Sequence, residues 1–371
     1  MAQYKNQHFV PKAHFRPFSI EDRGQALNIY LITKDRPVFG APVKGQCARP
    51  YLYGRDGRLE RTLSQIEGRY GEFISRLSEE RCSLGESDRW LLRYFTLLQS
   101  YRTAEQIELG FARMSDMMNF FRESEERHGN IWDSNQNLTR EHVMTDLMLA
   151  FSEQMQERVL DDLKVTIVRN RTGRDFVTSD DPAVTTNRWL LQKQRVNTFG
   201  SNAAGLLLFM PLGPRHLALM YDPAVYSVSA RSPGLVELHR EADVHAFNVH
   251  QYMRAVSAIY FRNREDASLV ASEFKAAAPY RPKFWDRFTV AKMAEQTETH
   301  TRYEVGEPND IAGEDAVLFH LAREWPKPPC WPSVIKYRQN AHGFTRGRVI
   351  VRRARLANFI SDEPFVYRRF S

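Results

Sequence analysis

The chain has 371 residues, of which 42% are hydrophobic and 26% charged, a balance typical of a globular protein with a sizeable core. Its longest apolar run, residues 203–212, is much shorter than the roughly 20 residues that a membrane helix needs, so we expect no membrane span. The N-terminus lacks the apolar core of a signal peptide, and the three cysteines are far apart, so we expect a cytoplasmic protein without disulfides.

The net charge of +7 is concentrated near the C-terminus. Residues 320–371 contain eleven lysines and arginines against three acidic residues, so the remainder of the chain carries almost no net charge. A basic terminal segment is typical of a protein that binds a polyanion, and the planar guanidinium group suits phosphate. A solvated basic strand face explains the same charge equally well. The arginines that we expect to bind nucleic acid are Arg346, Arg348, Arg352, Arg353 and Arg355.

The first half of the chain predicts short strands followed by a block of helices. Residues 8–60 are rich in β-branched and aromatic residues, with a turn at Asp56-Gly57 between two extended runs. From residue 63 onward, apolar residues recur at spacings of three and four, which favours helices with one buried face. The predicted helices are 63–77, 88–102, 107–127 and a fourth that Asn137 or Thr139 caps and that runs to about residue 163.

The second half predicts mainly strands. They are 164–170, 174–179, 205–212 and 216–222, followed by one helix over 242–261, linkers at 305–314 and 325–332, and basic strands beyond. The predicted class is α+β: a helical block packed on or inserted in mostly antiparallel β-structure, with a basic β-rich C-terminal segment. We divide the chain into a core domain, 1–305, and a basic segment, 315–371, which the sequence leaves open as part of the same domain.

Motifs with a well-known chemistry are absent from the sequence: it has no Walker loop, GxGxxG, HExxH or GxSxG. Single polar residues are better candidates. Asp180 ends a predicted strand just before Pro182, which fixes its direction, although an aspartate that caps its own turn is an alternative. Glu60 and Glu67 share a helix face but lie roughly 10 Å apart along the axis, too far to grip one metal ion. We expect at most one of them in a site, and we choose Glu67. An alternative interpretation of Glu67 is an acidic residue on a solvated helix face.

Gln99 and Arg102 are three residues apart and hence neighbours on a predicted helix. A buried Arg102 would need a carboxylate, which Glu67 or Asp180 could supply, and a structural ion pair explains this as well as catalysis does. Asn248 lies in the apolar stretch AFNVHQYM, where a buried amide must be paired. A satisfied core amide is our interpretation there.

Six segments in chain order resemble the domain-of-unknown-function family numbered 4238. They are QHFVPKAHFRPFS, LERTLSQIEGRYGEF, LLQSYRT, FVTSDDPA, MPLGPRHLALMY and FNVHQYMRAVSAIYF, and they cover about residues 7–265. Each motif is weak alone, and the specificity comes from their order. The chain departs from the family pattern at Phe15 and Ala183, neither of which is a polar position, and the basic segment after residue 315 lies outside the resemblance.

The resemblance indicates which residues belong together in a site, and it does not indicate a reaction. It suggests that Asp180 rather than Asp181 is the functional aspartate, because Asp181 falls on a variable position of the pattern. It also suggests that His8, held at the start of a strand, faces Glu67 and Arg102. The residues that it groups together are Gln7, His8, Glu67, Gln99, Arg102, Asp180 and Asn248.

Two classes of function remain open. One is an enzyme that acts on a phosphodiester, such as a nuclease of prokaryotic or phage-linked defence, with His8 as general acid or base and Arg102 on the phosphate charge. Glu67 and Asp180 would then orient these groups or bind Mg²⁺ or Mn²⁺. Gln7, Gln99 and Asn248 would take part in binding. The alternative is a non-enzymatic nucleic-acid-binding or regulatory protein, in which the same polar residues form a structural network and aromatic residues of the basic segment stack on bases.

Overall fold

A computed structural model provides the fold. The structure describes residues 6–55, 57–77, 83–128, 138–196, 198–229, 231–232, 234–282, 286–306, 311, 317–346, 349–354 and 366–370, with the backbone alone for 121–128, 287–288, 317, 320–322, 346 and 349. The helices are α1 (Lys12–Phe15), α2 (Arg58–Leu77), α3 (Glu86–Tyr101), α4 (Ala104–His128), α5 (Arg140–Gln156), α6 (Glu241–Arg254) and α7 (Ala267–Ala277).

The strands lie mostly in antiparallel sheets, so the predicted α+β class is confirmed. They are β1 (Asn6–His8), β2 (Ala26–Leu31), β3 (Arg36–Pro42), β4 (Ala48–Pro50), β5 (Lys164–Asn170), β6 (Thr178–Ser179), β7 (Val184–Thr186), β8 (Leu207–Gly213), β9 (His216–Tyr221), β10 (Tyr226–Val228), β11 (Leu235–Leu238), β12 (Ala258–Phe261), β13 (Asp286–Gln296), β14 (Thr301–Gly306), β15 (Val317–Arg323), β16 (Ile335–Tyr337), β17 (His342–Arg346), β18 (Val349–Val351) and β19 (Val366–Arg369).

The central sheet has the order β11-β5-β9-β8-β7, in which the β11–β5 pair is parallel. Both of its faces are buried. In β8, Leu208 and Met210 belong to the core on one face, and Leu207 and Phe209 to the core on the other. Since successive side chains of a strand point to opposite faces, this burial explains why β8 is apolar throughout.

The helical block α2–α5 lies between β4 and β5 in the chain and packs on the first face of the central sheet. The side chain of Thr139 caps α5 by accepting the N–H of His142, as the sequence predicted. The helix ends at Gln156 rather than near residue 163. Residues 58–60 also belong to a helix, so the predicted second extended run after Asp56-Gly57 is wrong. Asp56 itself lies outside the described residues.

The predicted helix over 242–261 is two elements. α6 ends at Arg254, and β12 then pairs with β2 and β6 in a sheet of order β3-β2-β12-β6. The apolar spacing continues through β12 because this strand is buried too, so periodicity alone could not show where the helix ends. Sequence reasoning also missed α7 and the antiparallel sheet β14-β13-β15.

The C-terminal strands contact the second face of the central sheet. β16 pairs with β10, and Phe370 stacks on Trp189 with ring centroids 3.9 Å apart. Ile350 packs against the same core as Phe209. In the part of the chain described here, no helix is long and apolar enough to cross a bilayer.

Candidate functional site

Five of the predicted site residues meet at one corner of the helical block. Gln7 and His8 end β1, Glu67 lies within α2, Gln99 lies in the last turn of α3, and Arg102 caps that helix. His8 therefore ends a short strand, where the sequence placed the start of one. We call these five residues the polar cluster. Arg102 and Gln7 are fully buried and the Glu67 side chain is 25% exposed, so the cluster extends from the core to the surface.

Arg102 is the centre of the polar cluster. Its Nη1 donates to Oε1 of Glu67 at 2.6 Å, and its Nε donates to Oε1 of Gln99 at 3.0 Å. The second contact follows from helical spacing, because residues three apart are neighbours on a helix. The buried guanidinium thus has the carboxylate that the sequence required, and Glu67 rather than Asp180 supplies it.

The two glutamines bind backbone groups. Gln7 donates from Nε2 to the carbonyl of Gly54 at 2.9 Å and accepts the N–H of Tyr53. Gln99 donates from Nε2 to the carbonyl of Phe9 at 2.7 Å. Gln7 therefore fixes the loop that precedes α2, and Gln99 fixes the chain after β1 against α3. Their predicted part in ligand binding stays a prediction.

Two nitrogen atoms of the polar cluster are buried without a hydrogen-bond partner among the described residues: Nη2 of Arg102 and Nε2 of His8. Burial and the charge of Lys12 lower the pKa of His8, with a smaller contribution from Arg102, whereas a hydrogen bond with the backbone of Lys44 raises it. With its pKa below the usual value, the His8 imidazole is neutral at pH 7 and has a nitrogen that can accept a proton.

Sequence reasoning missed two neighbours of the cluster, Lys12 and Tyr53, and it considered a third, Glu60, without choosing it. Burial and the charge of Glu67 raise the pKa of Glu60, so both carboxylates act on one environment. The expectation that at most one of the two glutamates joins a site stays a prediction, although the charge of Glu67 acts on Glu60. Lys12 is exposed, and its charge acts on both His8 and Glu60. The hydroxyl of Tyr53 donates to the carbonyl of His8 at 3.1 Å.

His14 is a buried structural histidine that the sequence did not single out. Its Nδ1 lies 2.9 Å from the hydroxyl of Tyr70, and its Nε2 lies 2.8 Å from the hydroxyl of Thr178. Burial, with a contribution from Arg102, lowers its pKa to about 3. A neutral His14 therefore links α1, α2 and β6.

Asp180 lies in a different environment from the one that the sequence predicted. Its Oδ1 accepts the N–H of Val256 at 2.9 Å, and its Oδ2 accepts both the N–H of Ser257, at 2.8 Å, and the Ser257 hydroxyl. The carboxylate thus fixes the connection between α6 and β12. Within the described residues, no group of three His, Cys, Asp or Glu side chains could hold a metal ion. The predicted catalytic and metal-binding roles of Asp180 gain no support and stay predictions.

One face of α6 holds the chain segment 175–182 through side chains spaced three residues apart. Asn248 donates to the carbonyl of Asp175 at 3.0 Å and accepts the N–H of Val177 at 3.1 Å. Gln251 donates to the carbonyl of Pro182 at 2.7 Å and accepts the hydroxyl of Ser179 at 2.9 Å. Asn248 is therefore the satisfied core amide that the sequence indicated, and its contacts are with this segment.

Arg254 continues this face of α6 and forms an ion pair with Asp181. Burial raises the pKa of Asp181 to about 6, although the charge of Arg254 acts in the opposite direction. We call Asp180, Asn248, Gln251 and Arg254 the α6 ladder. Its hydrogen bonds hold the segment between β5 and β7 in place.

Two of the basic C-terminal arginines are structural. The side chain of Arg352 is fully buried, donates from Nε to Asp162 at 3.0 Å and also binds the carbonyls of Val159, Ser201 and Ala203. The prediction that it binds a polyanion is therefore corrected, because its guanidinium has no exposed surface. Arg353 donates to the carbonyl of Arg158 at 2.8 Å and its side chain is 19% exposed. The side chain of Arg346 and all of Arg348 and Arg355 lie outside the described residues.

Comparison with known families agrees with the order of motifs. The model of a family described as a protein of unknown function, DUF4238, matches residues 6–265. The chain belongs to this family. The polar cluster and the α6 ladder both lie within the matched part of this DUF4238 protein, whereas β13–β19 lie beyond it. A search of curated proteins and a search of solved structures found no match.

Proposed function

We propose that this DUF4238 protein is a nuclease-like enzyme that cleaves a phosphodiester at the polar cluster. The observation that carries the proposal is the pair of buried nitrogens without a partner, Nη2 of Arg102 and Nε2 of His8. Leaving a polar group buried and unsatisfied costs about 1–3 kcal/mol, so native structures retain few such groups. A substrate that accepts from Arg102 and gives a proton to His8 would satisfy both.

The groups of the cluster fit general acid–base chemistry at an anion. Neutral His8 is the general base, and Glu60, whose pKa is raised, is the general acid. Arg102 and Lys12 stabilise the negative charge that develops on the phosphate oxygens. Glu67 holds the Arg102 guanidinium in position.

RNA is the substrate that needs the fewest additional groups. His8 removes the proton of the ribose 2′-hydroxyl, whose oxygen then attacks the adjacent phosphorus atom. The bond from phosphorus to the 5′-oxygen breaks, and Glu60 gives its proton to that leaving oxygen. The products are a 2′,3′-cyclic phosphate and a free 5′-hydroxyl. Whether Glu67 also binds Mg²⁺ or Mn²⁺ stays a prediction that the cleavage assay tests.

The test is cleavage of labelled RNA and DNA by the purified protein with Mg²⁺, with Mn²⁺ and with EDTA. We expect RNA cleavage that persists in EDTA and that falls by at least about a hundredfold in His8→Gln and in Glu67→Gln. Glu72→Gln, an exposed acid on the same helix, is the matched control and should keep full activity. Melting temperatures show whether each variant is folded.

Three results would contradict the proposal. They are that neither RNA nor DNA is cleaved, that RNA and DNA are cleaved equally, and that folded His8→Gln keeps full activity. If EDTA abolishes cleavage, the polar cluster would remain the proposed site, and the reaction would require a metal ion.

A second candidate function is nucleic-acid binding without catalysis. The observation that favours it is β19, whose four side chains are all exposed and include Arg368 and Arg369 beside Tyr367. The His342 ring lies 5.1 Å from that of Tyr367, so a second ring lies beside the exposed tyrosine and its neighbouring arginines. Such surfaces bind single strands by stacking and by phosphate contact. A shift of RNA mobility that weakens with salt and in Arg368→Gln, without any cleavage, would favour this function.

A further inference from the structure

A cavity of about 300 Å³ lies between the helical block and the chain that follows β15. α3, α4 and α5 form one side, and β7, β8 and the end of α6 form the other. Its volume is at the lower end of the range of roughly 300–1,000 Å³ found for small-molecule sites. The lining residues that matter for its chemistry are Tyr101, Arg113, Phe199, Arg254, Arg323 and Trp325.

Three arginines line the cavity: Arg113, Arg254 and Arg323. Arg323 donates to both oxygens of Asp286, at 2.7 and 3.1 Å, and Arg113 lies 3.3 Å from the same carboxylate. Two guanidinium groups therefore share one acid. Their side chains keep 30% and 28% exposure, so each can still reach a ligand. The third arginine of the cavity, Arg254, is balanced by Asp181.

The positive charges of Arg113 and Arg323 lie close together in the cavity. Burial lowers the pKa of Arg113, and the charge of Arg323 lowers it further, whereas Asp286 acts in the opposite direction. The Asp286 carboxylate lies between these two arginines and relieves part of their repulsion, and an anion on their exposed side would relieve more. The fork of a guanidinium group matches phosphate oxygens well.

The wall beside these arginines is aromatic and rigid. The rings of Phe199 and Trp325 are stacked, with centroids 5.1 Å apart and planes within 16°. The indole N–H of Trp325 donates to the carbonyl of Phe199 at 3.1 Å, which fixes its orientation. The guanidinium carbons of Arg254 and Arg323 lie 6.0 and 5.9 Å from the centre of the Trp325 ring.

We propose that this cavity binds a mononucleotide. The phosphate contacts Arg113 and Arg323 on their exposed side, away from the buried Asp286, and the base lies against the aromatic wall formed by Phe199 and Trp325. A volume of about 300 Å³ suits one nucleotide rather than a polymer, so the proposed ligand is distinct from the RNA that the polar cluster is proposed to cleave. The proposal rests on the cavity alone and does not depend on the proposed function.

The test is isothermal titration calorimetry of the full-length protein with AMP, inorganic phosphate and adenosine. AMP carries both parts of the ligand, so we expect it to bind more tightly than either fragment. Arg323→Gln and Trp325→Leu should each weaken AMP binding by about tenfold or more. Arg302→Gln, on the neighbouring strand β14, removes an exposed arginine that pairs with Glu295 and Glu304, and should leave the affinity unchanged. If Arg323→Gln fails to fold, Arg113→Gln tests the same phosphate contact.

The proposal is overturned if AMP gives no binding heat at millimolar concentration. It is also overturned if inorganic phosphate binds as tightly as AMP, since the aromatic wall would then contribute nothing. Folded variants at Arg113, Arg323 and Trp325 that all bind AMP like the wild type would place the nucleotide elsewhere. Because the readout is binding heat, none of these results depends on whether the protein cleaves RNA.

Discussion

The polar cluster and the α6 ladder look alike in the sequence and differ in the structure. Both consist of polar residues set in apolar helix patterns. In the ladder, the amide oxygen and nitrogen of Asn248 and of Gln251 are both hydrogen-bonded to the segment 175–182. Both carboxylate oxygens of Asp180 accept hydrogen bonds from the connection between α6 and β12. In the cluster, Arg102 and His8 each retain a buried nitrogen without a partner among the described residues.

We propose that this difference separates structural polar groups from groups that are candidates for function. A buried polar group must be paired, so a polar residue in an apolar pattern indicates only that partners exist. Only the three-dimensional structure shows whether every polar atom of such a residue has a hydrogen-bond partner. Complete pairing stabilises the fold, and incomplete pairing marks a candidate only, because Thr166, Asp181 and His250 also have a buried atom without a partner among the described residues. The following experiments test this division, beginning with the largest expected effect.

Asp180→Ala should destabilise the protein more than any other single change in the α6 ladder. It removes the acceptor for two backbone N–H groups, of Val256 and Ser257, and for one hydroxyl. Since each hydrogen bond to a charged group is worth about 1.5–3 kcal/mol, we expect a loss of about 4 kcal/mol in the free energy of unfolding. Urea denaturation measures it, with the exposed acid Glu265→Ala as control. A loss below about 1 kcal/mol would contradict the assignment.

Arg352→Met should also reduce stability without affecting nucleic-acid binding. The change leaves Asp162 and three carbonyls without their buried partner. We expect the free energy of unfolding to fall by about 3 kcal/mol, because breaking one side of a buried pair is costly. The salt dependence of RNA affinity should stay unchanged, and the exposed Arg369→Gln serves as the comparison. A reduced salt slope in a folded Arg352→Met variant would restore its predicted role in polyanion binding.

Acid should destabilise the protein through His14. Its pKa is about 3 in the folded protein and about 6.5 in the unfolded chain, so below pH 6.5 the unfolded state binds more protons. Stability is therefore lost as the pH falls from about 6.5 toward 3, by about 2 kcal/mol between pH 7 and pH 5. The pKa values of His216 and His250, lowered by burial to about 4, act in the same direction.

The measurement is the pH dependence of unfolding for the wild type and His14→Asn, with the exposed His239→Asn as control. Asp181, whose pKa is raised to about 6, gains protons on folding and offsets part of the effect between pH 6 and 4. We expect a smaller slope in His14→Asn alone. An unchanged slope would mean that His14 is not neutral in the folded protein.

The sequence predicted elements whose signals are local. β5 was predicted with its observed bounds, and the buried stripe of α2 was predicted from the spacing of its apolar residues. β12 was missed because its partner β2 lies far away in the chain and its residues continue the apolar spacing of α6. α7 was missed, and so was the β14-β13-β15 sheet, although β13 and β14 form a hairpin between consecutive strands.

The candidate site was predictable to the same extent. The contact of Arg102 with Gln99 follows from helix spacing, and its need for Glu67 follows from the cost of an unpaired buried cation. The position of Asp180 was not predictable, because its partners are backbone groups 76 and 77 residues away in the chain. The charge of Glu67 also raises the pKa of Glu60, an effect that the spacing of the two residues along the helix did not indicate.

The most direct test of this division is a pair of measurements on His8→Gln and Asp180→Asn: the rate of RNA cleavage per folded molecule, and the melting temperature. We predict that His8→Gln melts within a few degrees of the wild type and loses cleavage. We predict that Asp180→Asn melts at a clearly lower temperature and keeps the cleavage rate of the molecules that remain folded. The reverse pattern, with cleavage lost in stable Asp180→Asn and kept in His8→Gln, would contradict the account.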